Sequence, residues 1–360
     1  MSRATSATIH LGALRDNLRR SRELAGSARI MAVVKADGYG HGLERVARAL
    51  HEADAFGVAC IADGQRLRAA GIRQRIVVLS GIDEPADIAE MHRLTLESTI
   101  HHETQIDWLA ADRDPRPLKV WLKVDSGMHR LGIAPQRVAS VHARLRGLAN
   151  VDADIGLMTH FANSDVFGDG QTVAQIGCFE QFAGSLSGPV SMSNSAGLLG
   201  WPQASRQWVR PGGMLYGISL IEGRSGEQFG LRPAMTLSSK LIAINRIGRG
   251  ESIGYAAAWT CPEDMDIGVV QIGYGDGYPR SAAAGTPVLV NGRRAALVGR
   301  VSMDLITVDL REHGDARIGD PVVLWGKDLP VEEIASRAAT IPYELVCGMT
   351  RRVRFLEDPS

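Results

Sequence analysis

Paired cysteines, long apolar runs and an excess of either charge are all missing from this sequence of 360 residues. Its four cysteines lie far apart and form no CxxC pair, which argues against a disulfide scaffold or a zinc site. No apolar run approaches the roughly 20 residues that span a bilayer. The first residues, MSRATSATIH, lack the apolar segment of a signal peptide, so we expect a cytoplasmic protein without membrane contacts. Forty basic and forty acidic side chains cancel, which disfavours nucleic-acid partners.

Lysine is scarce as well, because only five of the 40 basic residues are lysines (Lys35, Lys119, Lys123, Lys240 and Lys327). Chemistry that requires an amine therefore has few candidates. Lys35 stands between an apolar run and a glycine-rich loop, in AVVKADGYGHG (32–42). A partly desolvated amine at this place could lose its proton and form a Schiff base with an aldehyde. Taken alone, a solvated lysine at a strand end is the favoured interpretation.

The first part of the chain alternates short apolar runs with polar stretches that are long enough for helices. Eight such runs occur, at 29–36, 55–60, 75–80, 94–100, 118–125, 153–160, 189–194 and 208–218. Eight strand–helix repeats in about 200 residues are what a (β/α)8 barrel requires. An open, doubly wound sheet is the alternative, although it usually has fewer repeats.

The composition changes after residue 225, where runs rich in valine and isoleucine alternate with glycine, proline and Asn-Gly turns. This pattern predicts a mainly β C-terminal domain over 226–360, following a barrel over 11–225. Turns at Gly248–Gly250 and Asn291–Gly292 predict two hairpins. The segment VEEIASRAA (331–339) predicts one helix within this domain.

Several residues with side chains suited to catalysis or ligand binding lie at the ends of the predicted barrel strands, where barrels carry their functional groups. They are Lys35, Ser80, Arg130, His160, Ser195 and Arg210. The histidines show no spacing typical of metal ligands, so we expect no metal site.

The loops after the last two predicted strands consist of small residues, SNSAG (193–197) and RPGG (210–213). Loops at this place often bind a phosphate through backbone N–H groups, although two tight turns would explain the small residues equally well. A reactive lysine opposite a phosphate site is the arrangement expected for pyridoxal phosphate, which carries an aldehyde and a phosphate on one ring. Arg210 could then reach the ring nitrogen.

Seven motifs, taken in their order and spacing, identify a family. They are VVKADGYGHG, KVDSGMHRLG, THFANSD, SNSAG, VRPGGMLYG, GYGDGYPR and VGRVSMD, and together they resemble the alanine racemase family over nearly the whole chain. The resemblance implies a pyridoxal-phosphate-dependent isomerase that interconverts L-alanine and D-alanine, either to supply D-alanine for peptidoglycan or to degrade alanine. It also implies a barrel followed by a β domain, with residues 1–10 forming a strand of that β domain.

The resemblance implies two bases. Lys35 would serve D-alanine and Tyr255 would serve L-alanine, with a chain of hydrogen bonds running from Tyr255 to His160 and on to Arg210. A guanidinium beside the pyridine nitrogen would keep that nitrogen unprotonated, since two adjacent positive charges repel. By the same resemblance, the phosphate would be held by Tyr39, Ser195, Gly212 and Gly213.

Arg130, Met303, Asp304 and Tyr274 are the substrate-side residues that the resemblance implies. Lys123, which we place on the same strand as Arg130, corresponds to a lysine that is carbamylated in many family members, and we treat that modification as a hypothesis. A homodimer in which Tyr255 and Met303 enter the partner's site is also implied.

One departure from the family pattern concerns the substrate range. Some members carry a tyrosine before the Arg-Val pair near the C-terminus, where this chain has Arg351 in YELVCGMTRRV. That weakens the inference that alanine is the sole substrate, and slow turnover of serine is compatible with the change. A decarboxylase of basic amino acids and a non-catalytic pyridoxal-phosphate carrier are the rival interpretations. Arg210 disfavours the decarboxylase, and the C-terminal domain disfavours the carrier.

Overall fold

The computed structural model describes residues 4–360, which divide into two compact units. The barrel unit comprises Asn17–Leu215 and Ile221–Arg224, and the β unit comprises the chain up to Asp16 with Tyr216–Leu220 and Ser225–Ser360. The described chain opens with strand β1 (Ser6–His10), so the predicted strand at 1–10 has its first three residues outside the described part. The beginning and the end of the chain thus build the same unit.

Eight short parallel strands close into a barrel in chain order. They are β2 (Arg29–Val33), β3 (Ala55–Val58), β4 (Arg75–Val78), β5 (Glu97–Ile100), β6 (Val120–Lys123), β7 (Gly156–Met158), β8 (Val190–Ser191) and β9 (Trp208–Val209). Strand β9 returns to pair with β2, with Trp208 opposite Arg29, and this pairing excludes the open sheet. The predicted (β/α)8 barrel is confirmed, and each strand lies within one of the predicted runs but is shorter than it.

An α-helix follows each of the first seven barrel strands, which is the connection that neighbouring parallel strands require. These helices are Leu43–Ala49, Ile61–Ala69, Asp87–Leu94, Glu103–Ala111, Val138–Arg146, Gly170–Ala183 and Ser195–Gly200, and Leu11–Ala25 precedes the barrel strands in the chain. Short 3-10 helices occur at Pro135–Arg137, Pro202–Ala204, Gly213–Tyr216, Gly226–Phe229, Tyr255–Ala257 and Tyr274–Asp276.

Most of the barrel strands are apolar on both faces because one face packs inside the barrel and the other under the helices. Strand β5 is an exception, since it buries Glu97, Ser98 and Thr99. Inside, a buried cluster joins side chains from six of the eight strands (Met31, Ala55, Val77, Trp121, Met158 and Trp208). The two tryptophan rings of this cluster meet edge to face, with 5.9 Å between their centroids. This packed interior holds the strand ends, and hence the residues that follow them, in fixed positions.

The β unit contains nine further strands and two helices. The strands are β10 (Met235–Ile247), β11 (Ser252–Ile253), β12 (Trp259–Thr260), β13 (Met265–Val270), β14 (Pro287–Val290), β15 (Arg293–Val298), β16 (Ile306–Asp309), β17 (Pro321–Trp325) and β18 (Arg354–Asp358), and the helices are Val331–Arg337 and Pro342–Cys347. One eight-stranded sheet has the order β13-β16-β15-β14-β17-β10-β1-β18, with β10 also pairing with β13. Strand β1 runs antiparallel to β10 and parallel to β18. A separate two-stranded sheet joins β11 and β12.

Of the two predicted hairpins, one is confirmed and one is wrong. Asn291 and Gly292 have φ angles of 50° and 77° and join β14 directly to β15, as a two-residue hairpin turn requires. Gly248–Gly250 does form a turn, but β10 before it pairs with β13, whereas β11 after it pairs with β12. The predicted helix at 331–339 is present as Val331–Arg337, and the helix Pro342–Cys347 was not predicted.

No disulfide joins the four cysteines, all of which lie within the described residues. Between residues 4 and 360, no helix is both long enough and apolar enough to cross a membrane.

Candidate active site

Lys35 is the second residue after strand β2 and begins a left-handed turn. Ala36, Asp37, Gly38 and Tyr39 have φ angles of 54°, 54°, 63° and 51°. Hydrogen bonds close the turn, since the Gly38 N–H donates to the Val34 carbonyl over 2.9 Å. An L-residue in this conformation costs roughly 1–2 kcal/mol, and such strain is concentrated at functional sites. The turn leaves Lys35 exposed and buries Tyr39.

Tyr39, Ser195 and Gly212, three of the predicted phosphate ligands, lie together. Ser195 Oγ accepts hydrogen bonds from the backbone N–H groups of Gly212, over 2.8 Å, and of Met214, over 3.3 Å. A Cβ atom at position 212 would lie only 2.6 Å from Tyr39 Oη, so the tyrosine hydroxyl can approach the backbone there only because residue 212 is glycine. Gly213, the fourth predicted ligand, begins the 3-10 helix Gly213–Tyr216. The result is a narrow cradle of small and hydroxyl-bearing residues.

Arg210 follows strand β9, and its guanidinium is buried among barrel carbonyls. Nη1 donates to the Ser191 carbonyl oxygen over 2.9 Å and to Ser191 Oγ over 2.5 Å. Nη2 donates to the carbonyl oxygens of Thr159, over 2.5 Å, and Met192, over 3.2 Å. Because a guanidinium has five N–H groups, only the Nε–H remains for another partner. Burial lowers the pKa of Arg210 to about 10, so the side chain stays charged at neutral pH.

Lys123, the last residue of β6, lies among other cations. Its burial and the positive charges of Arg210, Arg130 and Lys35 lower the pKa of Lys123 to about 8, while Asp125 opposes the shift. The Lys123 amine is therefore surrounded by three of the predicted site residues, Arg210, Arg130 and Lys35. A cluster with this excess of positive charge suits an anionic ligand.

Arg130 is not on the same strand as Lys123, so the sequence prediction on this point is wrong. Strand β6 ends at Lys123, and Arg130 lies exposed in the loop that follows. That loop is tightened by Asp125, whose Oδ1 accepts hydrogen bonds from the backbone N–H groups of Gly127, Met128 and His129. The two cations are neighbours because this loop folds back, which a regular strand would not do.

His160 is the second residue after strand β7, and it lies close to the same cations. Burial, reinforced by the charges of Arg210 and Lys123, holds the pKa of His160 well below its usual value, so its imidazole is neutral near pH 7. The predicted hydrogen bond from His160 to Arg210 is absent from the described residues, in which the Nη hydrogens of Arg210 go to Ser191, Thr159 and Met192.

In the β unit, Tyr274 and Met303 lie on two loops that pack against each other. The backbone N–H of Tyr274 donates to the Ser302 carbonyl over 3.0 Å, and the N–H of Gly275 donates to the Met303 carbonyl over 2.9 Å. The side chains of Tyr274 and Met303 are 39% and 52% exposed. Asp304 follows Met303 on the same loop. The structure thus brings these three predicted residues together within one unit.

Tyr255 lies near the same loops and is 69% exposed, which is unusual for an aromatic side chain. It is followed by Ala256 and Ala257, which have positive φ angles of 60° and 46°. The backbone at the preceding Gly254 lies beside that of Arg300, since a Cβ at Gly254 would be 3.7 Å from the Arg300 backbone nitrogen. An exposed tyrosine on a strained turn is available for a ligand or a partner chain.

Two groups of contacts were not predicted from the sequence. Ser191, Thr159 and Met192 bind the Arg210 guanidinium mainly through backbone carbonyls, which leave no sequence signal. Near the C-terminus, Arg352 rather than Arg351 contacts the loops of the β unit, with its Nε 3.2 Å from Asp276 Oδ1. In the sequence, the glycines around Asp276 in GYGDGY are the feature that indicates close contact between the Asp276 carboxylate and the neighbouring backbone.

Among the residues that the structure describes, no group of three or more His, Cys, Asp or Glu side chains could hold a metal ion.

Family models and known proteins match this chain over most of its length. Residues 9–220 match the alanine racemase N-terminal domain, and residues 234–356 match the alanine racemase C-terminal domain. An alanine racemase from Nitrosococcus oceani is 53% identical over 351 residues, covering 96% of this chain and 97% of the relative. An alanine racemase from Halorhodospira halophila is 50% identical over 356 residues, covering 98% of each chain.

Solved structures agree with these relatives. The biosynthetic alanine racemase from Pseudomonas aeruginosa superimposes with a TM-score of 0.96 at 42% identity and covers 99% of both chains. The alanine racemase from E. faecalis superimposes with a TM-score of 0.90 at 31% identity, covering 99% of this chain and 98% of the other. Matches of this extent and identity include both units, and the chain belongs to the alanine racemase family.

Proposed function

We propose that this protein is an isomerase that interconverts L-alanine and D-alanine with pyridoxal phosphate as its cofactor. The observation that carries the proposal is the arrangement at the barrel strand ends. There, the positive charges of Lys35 and Arg210 both act on Lys123, and Tyr39 forms a cradle with Gly212 in the same unit. The relatives named as alanine racemases support alanine as the substrate.

The residues of the barrel unit fit pyridoxal phosphate. The cradle of Tyr39, Ser195, Gly212 and Gly213 would hold its phosphate, because the absence of a Cβ at position 212 lets the Tyr39 hydroxyl lie close to the backbone that Ser195 Oγ also contacts. Lys35 would supply the amine that holds its aldehyde carbon. When bound, the cofactor withdraws electrons from the substrate Cα and so makes its hydrogen acidic.

In this proposal, Lys35 and Tyr255 hold and move the proton at the substrate Cα. The Lys35 amine, released once the substrate amine has taken its place, takes the proton from D-alanine and returns it to give D-alanine, while Tyr255, as its phenolate, does the same for L-alanine. His160 supports the tyrosine, because its lowered pKa leaves a neutral imidazole that can exchange a proton with the phenol. Since His160 makes no hydrogen bond to Arg210 in the described residues, the relay ends at the imidazole.

Arg210 would act on the ring nitrogen of the cofactor. Its Nη atoms are occupied, so the Nε–H is the donor available to that nitrogen. A guanidinium that stays charged beside the nitrogen disfavours protonation of the ring, which restrains side reactions.

Lys123 is the proposed site of carbamylation. The neutral amine adds to CO₂ and loses one proton, which leaves a carbamate anion. With a pKa of about 8, roughly a tenth of the amine is neutral at pH 7. The resulting negative charge would face the surrounding cations and orient Arg130, whose guanidinium would bind the substrate carboxylate. Met303 and Asp304 would line the substrate side of the site. Carbon-13 NMR of protein equilibrated with ¹³CO₂ tests this step, because a Lys123→Gln variant should lack the carbamate signal.

The proposed active form is a cytoplasmic homodimer in which Tyr255 and Met303 of one subunit complete the site of the other. Their exposure, 69% and 52%, supports this arrangement, because large apolar side chains gain free energy when a partner covers them. The product, D-alanine, would be used to build peptidoglycan. Serine is a proposed slow substrate, since Arg351 stands where some members have tyrosine.

The decisive experiment incubates purified protein and pyridoxal phosphate with L-alanine and measures D-alanine. Lys35→Ala should lose the absorbance band of the bound cofactor, while Tyr255→Phe should retain the band and lose racemisation. Lys119→Ala is the matched control, because Lys119 is exposed and lies outside the proposed site. Absence of D-alanine from the wild-type protein with cofactor supplied would contradict the proposal, and full activity of Tyr255→Phe would contradict the two bases.

A further inference from the structure

Arg352, near the C-terminus, joins two loops of the β unit. Its Nε lies 3.2 Å from Oδ1 of Asp276, a residue with no exposed surface. Its Nη2 also donates to Asp304 Oδ1. A guanidinium can bind two carboxylates in fixed directions because its donors lie in one plane. One side chain therefore connects the loop that carries Tyr274 with the loop that carries Met303.

Further contacts hold the first of these loops against the turn that contains Arg352. Thr350 Oγ1 donates to the Gly275 carbonyl over 2.9 Å, and the Thr350 N–H donates to the Asp276 carbonyl over 3.2 Å. Asp276 Oδ2 accepts a hydrogen bond from the Gly273 N–H over 3.0 Å. A Cβ at Gly275 would collide with Nη1 of Arg352. The guanidinium thus fills the space that glycine leaves open.

The second loop depends on Arg352 more strongly than the first does. The Asp304 side chain is half exposed, and Met303 next to it is also half exposed. Without the guanidinium, this loop keeps its backbone contacts at Tyr274 and Gly275 but loses the ion pair that fixes its outer end. The spacing between Met303 and Tyr274 would then be less tightly defined.

We propose that Arg352 is a positioning residue that sets the spacing of the Tyr274 and Met303 loops and thereby limits the size of the substrate side chain. The proposal rests on the proposed function for its substrate, since the size limit is the one that separates alanine from serine. The ion pairs with Asp276 and Asp304 are its physical basis. Arg352 acts through these loops and touches no reacting atom.

The test compares Arg352→Gln, Arg352→Lys and wild type, each with pyridoxal phosphate. We expect Arg352→Gln to lower kcat/KM for L-alanine about tenfold or more, because small displacements in an active site have effects of this size. The ratio of kcat/KM for L-serine to that for L-alanine should rise about threefold or more. Arg352→Lys should lie between, because an ammonium lacks the fork that binds two carboxylates. Hydrogen exchange of residues 299–305 should be faster in Arg352→Gln.

Arg354→Gln is the matched control, since Arg354 is exposed on β18 and should leave the substrate ratio and the exchange unchanged. If Arg352→Gln does not fold, Arg352→Lys and Asp304→Asn are judged by the same two measurements. A folded Arg352 variant with the wild-type substrate ratio and wild-type exchange would overturn the proposal. If the wild-type protein does not racemise alanine but exchange still increases in Arg352→Gln, the proposed function fails while the positioning role stands.

Discussion

Nη1 of Arg210 is hydrogen-bonded to Ser191 twice, over 2.9 Å to its carbonyl oxygen and over 2.5 Å to its Oγ. One serine at the end of β8 thus orients a buried guanidinium from the neighbouring strand. Because the carbonyl oxygen belongs to the backbone, a substitution of Ser191 keeps that contact and removes only the contact with the hydroxyl.

Ser191→Ala is expected to remove the side-chain hydrogen bond that Ser191 makes with the Arg210 guanidinium. A hydrogen bond to a charged group contributes about 1.5–3 kcal/mol, so the free energy of unfolding should fall by about that amount. The absorbance spectrum of the bound cofactor should also shift, because the guanidinium loses one of the four hydrogen bonds that orient it. Urea unfolding and absorbance titration measure both effects. Ser193→Ala is the control for stability, since the buried Ser193 Oγ has no hydrogen-bond partner in the described residues. An equal loss in both variants would contradict the assignment.

Gly212→Ala is expected to displace Tyr39, because the new Cβ would lie 2.6 Å from its hydroxyl. We expect the affinity for pyridoxal phosphate to fall about tenfold or more, since the cradle loses its shape. Fluorescence titration of the apoprotein with the cofactor measures this affinity.

Gly177→Ala provides the matched control for that substitution. Gly177 lies in the helix Gly170–Ala183, and a Cβ there would meet nothing within 4 Å. The change should raise the free energy of unfolding by about 0.5–1 kcal/mol and leave the cofactor affinity unchanged. Unchanged affinity in Gly212→Ala would show that position 212 is not part of the cradle.

The lowered pKa of Lys123 predicts a dependence of stability on pH. In the unfolded chain the amine keeps its ordinary pKa near 10.5, whereas in the folded protein the pKa is about 8. Between these values the unfolded state binds more protons, so the free energy of unfolding rises with pH in this window. Below pH 8 both states are protonated, and the burial of the charge then costs about 3 kcal/mol at most.

Lys123→Met should therefore be more stable than wild type at pH 7, and its advantage should shrink as the pH rises from 8 to 10.5. Urea unfolding of the apoprotein in CO₂-free buffer measures this difference. A stability difference that stays constant over this range would contradict the lowered pKa.

Ala36→Gly is expected to relieve strain in the left-handed turn. Glycine adopts the φ of 54° seen at Ala36 without the steric cost that alanine has there. After subtraction of the greater entropy of unfolded glycine, a gain of up to about 1 kcal/mol in the free energy of unfolding remains. In the control Ala143→Gly, within the right-handed helix Val138–Arg146, the same change should cost about 1 kcal/mol. Equal destabilisation in both variants would contradict the strain.

The fold was predictable to the extent that it depends on local patterns. Parallel strands buried on both faces read as short apolar runs, and the eight barrel strands therefore stood out. Asn291–Gly292 was predictable because a two-residue turn has a specific backbone requirement. Gly248–Gly250 has an equally clear turn signal, but a turn does not determine which strand pairs with β10 over a longer distance.

The site was less predictable where contacts depend on backbone geometry. The carbonyl oxygens that bind Arg210 belong to Ser191 in β8 and to Thr159 and Met192, which directly follow β7 and β8, and any sequence would provide carbonyls there. Arg130 reaches the cations through a loop that Asp125 folds back, which a strand pattern does not encode. Arg352 stands beside Arg351 in the sequence, and only the structure distinguishes the arginine that contacts Asp276 from its neighbour.

The pairing of β1 with β18 also determines the order in which the chain can fold during synthesis. Ser6 pairs with Arg354, so β1 waits for a partner that is synthesised after the whole barrel unit. Every residue of the barrel unit emerges before that partner does, and domains generally fold as units as they emerge. The eight-stranded sheet, by contrast, becomes complete only when β18 has left the ribosome, and a ribosome that stalls before residue 354 leaves one edge of β1 without its neighbour.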